Sequence, residues 1–303
     1  MHADVVIVGY GPVGQTLAIL LSKRGHRVAV VERWEQAYQK PRAVVFDDEV
    51  ARVFAAAGVA ARFAEFSEPN LDYEWRNANG ETLLRFSLAA TGPSGWPESN
   101  MFTQPNLEAV LMATAESYGN VVVHRGAEAV RLRQDDSQVE VGLRDGRTLT
   151  ASYVVGCDGA NSFVRQQMVT TITDLGFFYD WLICDLITSE PLAWSPVNLQ
   201  VCDPIRPVTV VSGGPGRRRW EFMRMPGDAT RPRHPDRPAR LLYFRRYLRP
   251  SRPRLPRRRT RARAEHHGAV CASAVGVRVQ PYATTTVRTL VNSRTPSADS
   301  SRP

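Results

Sequence analysis

Cysteine is scarce: Cys157, Cys184, Cys202 and Cys271 are the four in 303 residues. They form no Cys-x-x-Cys pair and no Cys/His spacing suited to zinc, so no metal site is expected. Scattered in this way, they fit a reduced, cytoplasmic setting better than a disulfide-framed secreted fold. No stretch approaches the roughly 20 consecutive apolar residues that a membrane-spanning helix needs. The N-terminus has neither the basic start nor the long apolar core of a secretory signal. These absences point to a soluble intracellular protein with no membrane partner. Lysine is missing from residues 231–303, where 18 arginines face only Asp236, Glu265 and Asp299. That segment carries +15 and residues 1–230 carry −6, so the overall charge of +9 describes neither part. A basic excess ordinarily suggests nucleic acid or an anionic surface, but here the inference applies to the tail alone.

With 43% hydrophobic residues the chain can bury a sizeable core, and its length allows two modest domains. The first 165 residues read as α/β. "VVIVGYGPVGQTLAILLSKRGHRVAVVE" places Gly9-x-Gly11-x-x-Gly14 between a buried strand and an amphipathic helix, and a second strand follows over 27–31. GxGxxG alone is weak, but this context is the one that dinucleotide binding requires. Gly9 permits the tight turn, Gly11 lets a pyrophosphate approach the backbone, and Gly14 allows close helix–strand packing. The helix N-terminus then turns its N–H groups toward the phosphates. Glu32, 18 residues after Gly14, ends the second strand where a carboxylate can accept from an adenosine ribose.

Further along, Asp47 or Asp48 can cap a helix that stops before Gly58. Asn79-Gly80 marks a hairpin, Pro105 sits in the first turn of a helix, and Asp135-Asp136 and Asp145-Gly146 mark turns between short strands. From 171 to 226 the chain becomes irregular and aromatic-rich, with "FFYDWLICDLI", "VTVVSGG" and "RRWEFMRM" reading as strands. His2, His26 and His124 have no evident catalytic partners, and no Ser-His-Asp set or carboxylate pair stands out.

NAD and FAD share the glycine fingerprint, and "YVVGCDGANSFVR" at 153–165, "PRAVVFDDE" at 41–49 and "TQPNLEAVL" at 103–111 decide between them. With these stretches the chain resembles the FAD-dependent aromatic hydroxylases, single-component flavoprotein monooxygenases of the 3-(3-hydroxyphenyl)propionate hydroxylase type. The resemblance spans about residues 3–228 and includes "DWLICDL", "QVCDPIRPVTVVSGG" and "RRWEFMRMPGD". It implies a two-domain α/β, p-hydroxybenzoate-hydroxylase-like fold, incomplete in this chain. A Rossmann-like FAD-binding domain would occupy 1–70 and 100–168, and an antiparallel-sheet substrate domain 71–99 and 169–228.

By the same resemblance Gly9, Gly11 and Gly14 hold the FAD pyrophosphate and Glu32 the ribose. Arg42 and Gln104 contact the cofactor further along, and Asp158-Gly159 matches the Asp-Gly signature near the ribityl chain and pyrophosphate. The implied activity is hydroxylation of a small phenolic substrate with NADH or NADPH and O2, through a C4a-hydroperoxyflavin. The oxidation chemistry belongs to the cofactor, which explains the lack of an acid–base set. Trp181, Gln200 and Trp220 are the candidates for contact with the substrate.

The family's second flavin motif, Gly-Asp-Ala-Ala-His, has no counterpart here. "GDAT" at 227–230 directly follows substrate-domain sequence and no buried strand precedes it. Residues 229–303 form an Arg/Pro-rich tail with little apolar pattern, for which disorder is the expectation. Arginine without lysine, rich in proline, is what a GC-rich gene yields in a shifted frame, so an out-of-frame extension after about 229 is expected. The alternative reading is a non-catalytic nucleotide-binding remnant whose tail binds nucleic acid non-specifically.

Overall fold

The computed structural model describes residues 2–39, 42–168, 170–187, 194–225, 228, 278–281 and 285–293, the last two segments by their backbone only. The apolar run that opens the chain forms β1 (His2–Val8), followed by α1 (Pro12–Ser22) and β2 (Val28–Glu32). Then come β3 (Val45–Asp47), α2 (Asp48–Ala57), a 3-10 turn over Ala60–Glu65, β4 (Ser67–Pro69), β5 (Asp72–Asn77), β6 (Thr82–Ser87) and β7 (Ser99–Phe102). α3 (Gln104–Glu116), β8 (Val121–Arg125), β9 (Ala129–Gln134), β10 (Val139–Leu143), β11 (Thr148–Gly156) and α4 (Phe163–Gln167) follow. The remaining strands are β12 (Thr171–Ile187), β13 (Leu199–Cys202), β14 (Val208–Ser212), β15 (Arg217–Met223), β16 (Arg278–Pro281) and β17 (Thr285–Ser293).

The first sheet runs β8-β2-β1-β11-β10-β9. Its β8, β2, β1 and β11 are parallel, and β10 and β9 add antiparallel. Being covered on both faces, its central strands are apolar at successive positions. Val5, Ile7, Val28 and Val30 pack with Ile19, Leu107 and Leu111 from α1 and α3. Val6, Val8, Ala29 and Val31 pack on the other side with Val141, Leu149 and Val164. Of the two candidate caps for α2, Asp47 takes the role, its Oδ1 accepting from Val50 N at 2.8 Å. Asp48 instead accepts from Ser94 N at 2.8 Å, and Gly58 closes the helix at φ +90°. β3, β7 and β4 form a small sheet of their own.

The second sheet runs β16-β12-β15-β14-β13-β5-β6, with β17 also paired to β12. The hairpin expected at Asn79-Gly80 is β5–β6, with Gly80 at φ +91° and Asn77 Oδ1 accepting from the Asn79 and Glu81 amides. The expectation of a patternless tail is corrected at β16 and β17. Both pair antiparallel with β12, and β17 is rich in β-branched residues. A strand of 17 residues presents a long row of backbone donors and acceptors on that edge, which these segments satisfy. The rest of the tail lies outside the described residues, as do Gly227, Ala229 and Thr230 of "GDAT". Asp228 of that stretch is held by Arg206, which donates to both carboxylate oxygens at 2.7 and 2.9 Å.

Polar contacts among the described residues tie the second sheet to the first part of the chain. Arg219 Nη1 donates to Arg42 O at 2.9 Å, Thr103 Oγ1 to Gly213 O at 2.5 Å, and Ser212 Oγ to Glu68 Oε1 at 2.5 Å. Arg219 is fully buried and forks onto Asp185, with Nε and Nη2 at 2.7 and 2.9 Å from its two oxygens. Removing one member of a buried pair leaves the other charge uncompensated. Asp185→Ala is therefore expected to cost about 3 kcal/mol of unfolding free energy. Asp47→Ala, which removes only a helix cap, should cost about 1 kcal/mol. Urea denaturation of the two variants checks this order.

Candidate cofactor cleft and the facing sheet

The glycine turn is built by close approach. Gly9 sits at φ +101°, and a Cβ there would meet Cys157 O at 2.4 Å. A Cβ on Gly14 would lie 2.0 Å from Gly9 O, so the helix can cross the strand end only if residue 14 has no side chain. Gly11 differs, because a Cβ there would meet nothing within 4 Å. It is the extended N-cap of α1 and offers no side-chain cap, so the first N–H groups of the helix are left for a ligand. The three glycines thus separate into two that pack and one that faces open space.

That space is a cleft of about 290 Å³, lined among others by Gly9, Gly11, Glu32, Arg42, Gln104, Asp158 and Gly159. Seven of the eight cofactor residues expected from the sequence meet there, and Gly14 supports it from behind. Glu32 is fixed rather than loose: Oε2 accepts from Tyr10 N at 2.8 Å and Oε1 from Trp34 N at 2.9 Å. Arg42 lies over the Tyr38 ring, 4.4 Å from its centroid. Gln104 Oε1 accepts from the Arg42 and Ala43 amides at 3.1 and 3.0 Å, and its Nε2 donates to Glu108 Oε1 at 2.7 Å. Gln104 therefore holds the Arg42 loop as well as lining the cleft. Asp158 accepts from Ser162 Oγ at 2.5 Å and from Val164 N at 3.1 Å, shaping the turn at Gly159, whose φ is +80°.

Of the charged residues in the cleft that escape the motif reading, Arg33, Glu108, Arg125 and Glu128, two stand close to the predicted set. Glu108 is one turn after Gln104 on α3, and burial pushes its carboxyl above the usual range while Gln104, Arg42 and Arg125 pull it back. The i, i+4 spacing from Gln104 was the available signal. Arg125 ends β8 in register with Glu32 and lies 5.1 Å from the Tyr10 ring centroid. Only the parallel pairing of β8 with β2 reveals it.

The second sheet has two unlike faces, because paired residues project to the same side. Cys184, Leu186, Val201, Val208, Val210, Trp220 and Phe222 form a buried apolar core on one. Trp220, expected to touch substrate, belongs to that core. It is 1% exposed and packs edge-on against Trp194 at 5.8 Å. The alternation along β15 puts it on the side opposite Arg219, and this corrects the expectation. Trp181 and Gln200 share the Arg219 face, which Arg219 joins to the cleft through Arg42 O. Glu221, Thr209, Tyr73, Trp75 and Phe86 lie on it too. Thr209 Oγ1 donates to Gln200 Oε1 at 2.7 Å, and Tyr73 OH reaches the same oxygen at 3.5 Å. Burial pushes the Tyr73 hydroxyl up to about 12, with the Glu221 charge adding to the shift.

A mainly parallel sheet with a glycine turn at a helix N-terminus, an acid on the next strand and a mainly antiparallel sheet alongside define a dinucleotide-binding α/β protein. The family model described as FAD binding domain matches residues 2–297, and the chain belongs to that family. It is 39% identical over 240 residues to a probable NADH-specific resorcinol 4-hydroxylase of Rhodococcus jostii, covering 77% of this chain and 45% of the relative. It is 35% identical over 234 residues to a 3-(3-hydroxy-phenyl)propionate/3-hydroxycinnamic acid hydroxylase of Burkholderia vietnamiensis, covering 75% and 37%. The chain thus spans less than half the length of these curated relatives.

In fold it is similar to p-nitrophenol 4-monooxygenase of Pseudomonas putida, with a TM-score of 0.72 and 22% identity over 95% of this chain and 68% of that one. Aklavinone-11 hydroxylase, solved with FAD and aklavinone, gives a TM-score of 0.67 and 23% identity over 96% and 54%. The family match runs past residue 229, where a lost reading frame was expected. The comparisons support neither that expectation nor the nucleic-acid-binding alternative.

The cleft fits FAD in its details: an uncapped helix N-terminus, open space at Gly11 and an anchored acid at Glu32. Gly11→Asp is expected to keep the fold and lose FAD, since its side chain has room but brings a carboxylate to the pyrophosphate position. Gly14→Ala is expected to lose the fold, because its methyl group collides with backbone. Circular dichroism with a fluorescence titration of FAD separates the two outcomes. Glu32→Ala should weaken FAD by about 1–3 kcal/mol, the scale of charged hydrogen bonds, read in the same titration.

Proposed function

We propose that this chain forms the cofactor-binding and substrate-facing portion of an FAD-dependent monooxygenase that hydroxylates a phenolic aromatic compound with NADH or NADPH and O2. The observation that carries this reading is the joining of the cleft to the aromatic-lined sheet face through the Arg219–Arg42 contact. The family match and the two curated hydroxylases support it. The Rhodococcus relative, named as NADH-specific, favours NADH as the reductant.

When bound, FAD supplies reduction by the nicotinamide and activation of O2. The chain supplies binding, placement and exclusion of water. Gly11 and the α1 N-terminus take the pyrophosphate, and Glu32 accepts from the adenosine ribose. Arg42 is placed to neutralise phosphate charge, its position set by Tyr38, Gln104 and Arg219. The sheet face bearing Trp181 and Gln200 orients the ring of the substrate against the cofactor. Tyr73, Trp75 and Phe86 supply an apolar wall, meeting at 5.8 to 6.4 Å between ring centroids.

The test uses the purified full chain. It should hold one FAD, oxidise NADH faster when a phenol is present, and place one atom from labelled O2 in the product. Photo-crosslinking of a phenolic ligand should mark residues of the second sheet. A chain that binds no FAD, or a ligand that marks only residues 1–60, would sink the proposal.

A further inference from the structure

The two curated relatives are named for different kinds of phenol, one a neutral diphenol and the other an aromatic acid. The charges on the sheet face bear on which kind this chain takes. Among the side chains described there, the charged ones are Asp185, Arg217, Arg219 and Glu221. Arg219 and Asp185 are spent on each other as a buried, forked pair. Glu221 stands next to them, with Arg219 Nη1 3.5 Å from its Oε1, and remains partly open.

Next to Glu221 the Thr209 hydroxyl is turned toward accepting. Thr209, directly across the ladder, points its only proton at Gln200 Oε1. Tyr73 OH lies against the same oxygen. What faces a ligand is therefore the Glu221 carboxylate and the lone pairs of the Thr209 hydroxyl, with the Gln200 amide keeping its Nε2 donors, beside the ring wall of Tyr73, Trp75 and Phe86. Burial raises the Glu221 carboxyl and Asp185 adds to this, while Arg219 opposes both. The remaining cation, Arg217, pairs with Ile187 at the start of β15. Four residues along a strand put it about 13 Å from Glu221.

We infer that the aromatic ligand of this face is an uncharged arene with more than one hydroxyl, one of which donates to the Glu221 carboxylate, and that aromatic acids are the poorer ligands. This rests on the phenol-hydroxylase reading above and adds to it the class of substrate. A phenolic O–H gains a charge-assisted hydrogen bond at Glu221. A ligand carboxylate in the same place meets a like charge, with Arg217, the remaining cation described on this face, about 13 Å away, which acts against the wrong partner.

The test is ligand-observed NMR titration of the FAD-loaded full chain with 1,3-dihydroxybenzene and with 3-(3-hydroxyphenyl)propanoate. The diphenol should bind at least about tenfold more tightly. Glu221→Gln should weaken the diphenol by about tenfold, the scale of a charged hydrogen bond, and narrow the preference. Arg217→Gln should leave both affinities as they are. Tighter binding of the acid, lost in Arg217→Gln, would overturn the inference and leave the phenol-hydroxylase reading standing. If neither compound binds the FAD-loaded chain, the phenol-hydroxylase reading itself falls. The wild-type preference needs no variant, so poor folding of Glu221→Gln does not shield the inference.

Discussion

The contact between Gly14 and the carbonyl of Gly9 is the constraint on which the cofactor site depends. With no Cβ at either position, α1 starts directly against the ends of β1 and β11. That crossing sets the helix N-terminus at the mouth of the cleft and leaves Gly11 facing open space. It also brings the end of β2 close enough for Glu32 to accept from Tyr10 N. The cleft is therefore a consequence of backbone packing, and the charged residues around it decorate a shape already made.

The second sheet depends on the first through a different kind of interaction. Arg219 is buried, paired with Asp185, and donates to the carbonyl of Arg42. Isolated, a buried ion pair contributes little to stability, because desolvation offsets the attraction. Its value here is geometric. One guanidinium sets the loop that carries Arg42 and the face of the sheet that looks toward the cleft. Gln104 holds the same loop from α3 through the Arg42 and Ala43 amides. The Arg42 loop at the cleft and the Arg219 face of the second sheet are thus positioned by the same few hydrogen bonds.

The parts of the site legible in the sequence are those made by residues close along the chain. Gly9, Gly11 and Gly14, the Asp47 cap and the Asn79-Gly80 hairpin each act within a few positions, so spacing alone identifies them. Glu32 was legible because a strand length fixes how far it lies from the turn. Arg125 was not, since it reaches the cleft only through the pairing of β8 with β2. Trp220 was misplaced for a related reason. In "RRRWEFM" both alternating sets contain large and polar residues, so periodicity shows that there are two faces without showing which is buried.

By itself the sequence determined the dinucleotide turn, the chain's α/β character and the family resemblance, because these rest on local stereochemistry and on the apolar runs of a sheet covered on both sides. Only the tertiary structure decided which face of the second sheet looks toward the cleft, that Trp220 belongs to a core, and that two tail segments lie along β12. Each of those depends on register between strands distant in sequence, and a one-residue slip would exchange the two faces. Local preference carries no information about such a slip; the buried Arg219–Asp185 pair and the opposing apolar core select the register.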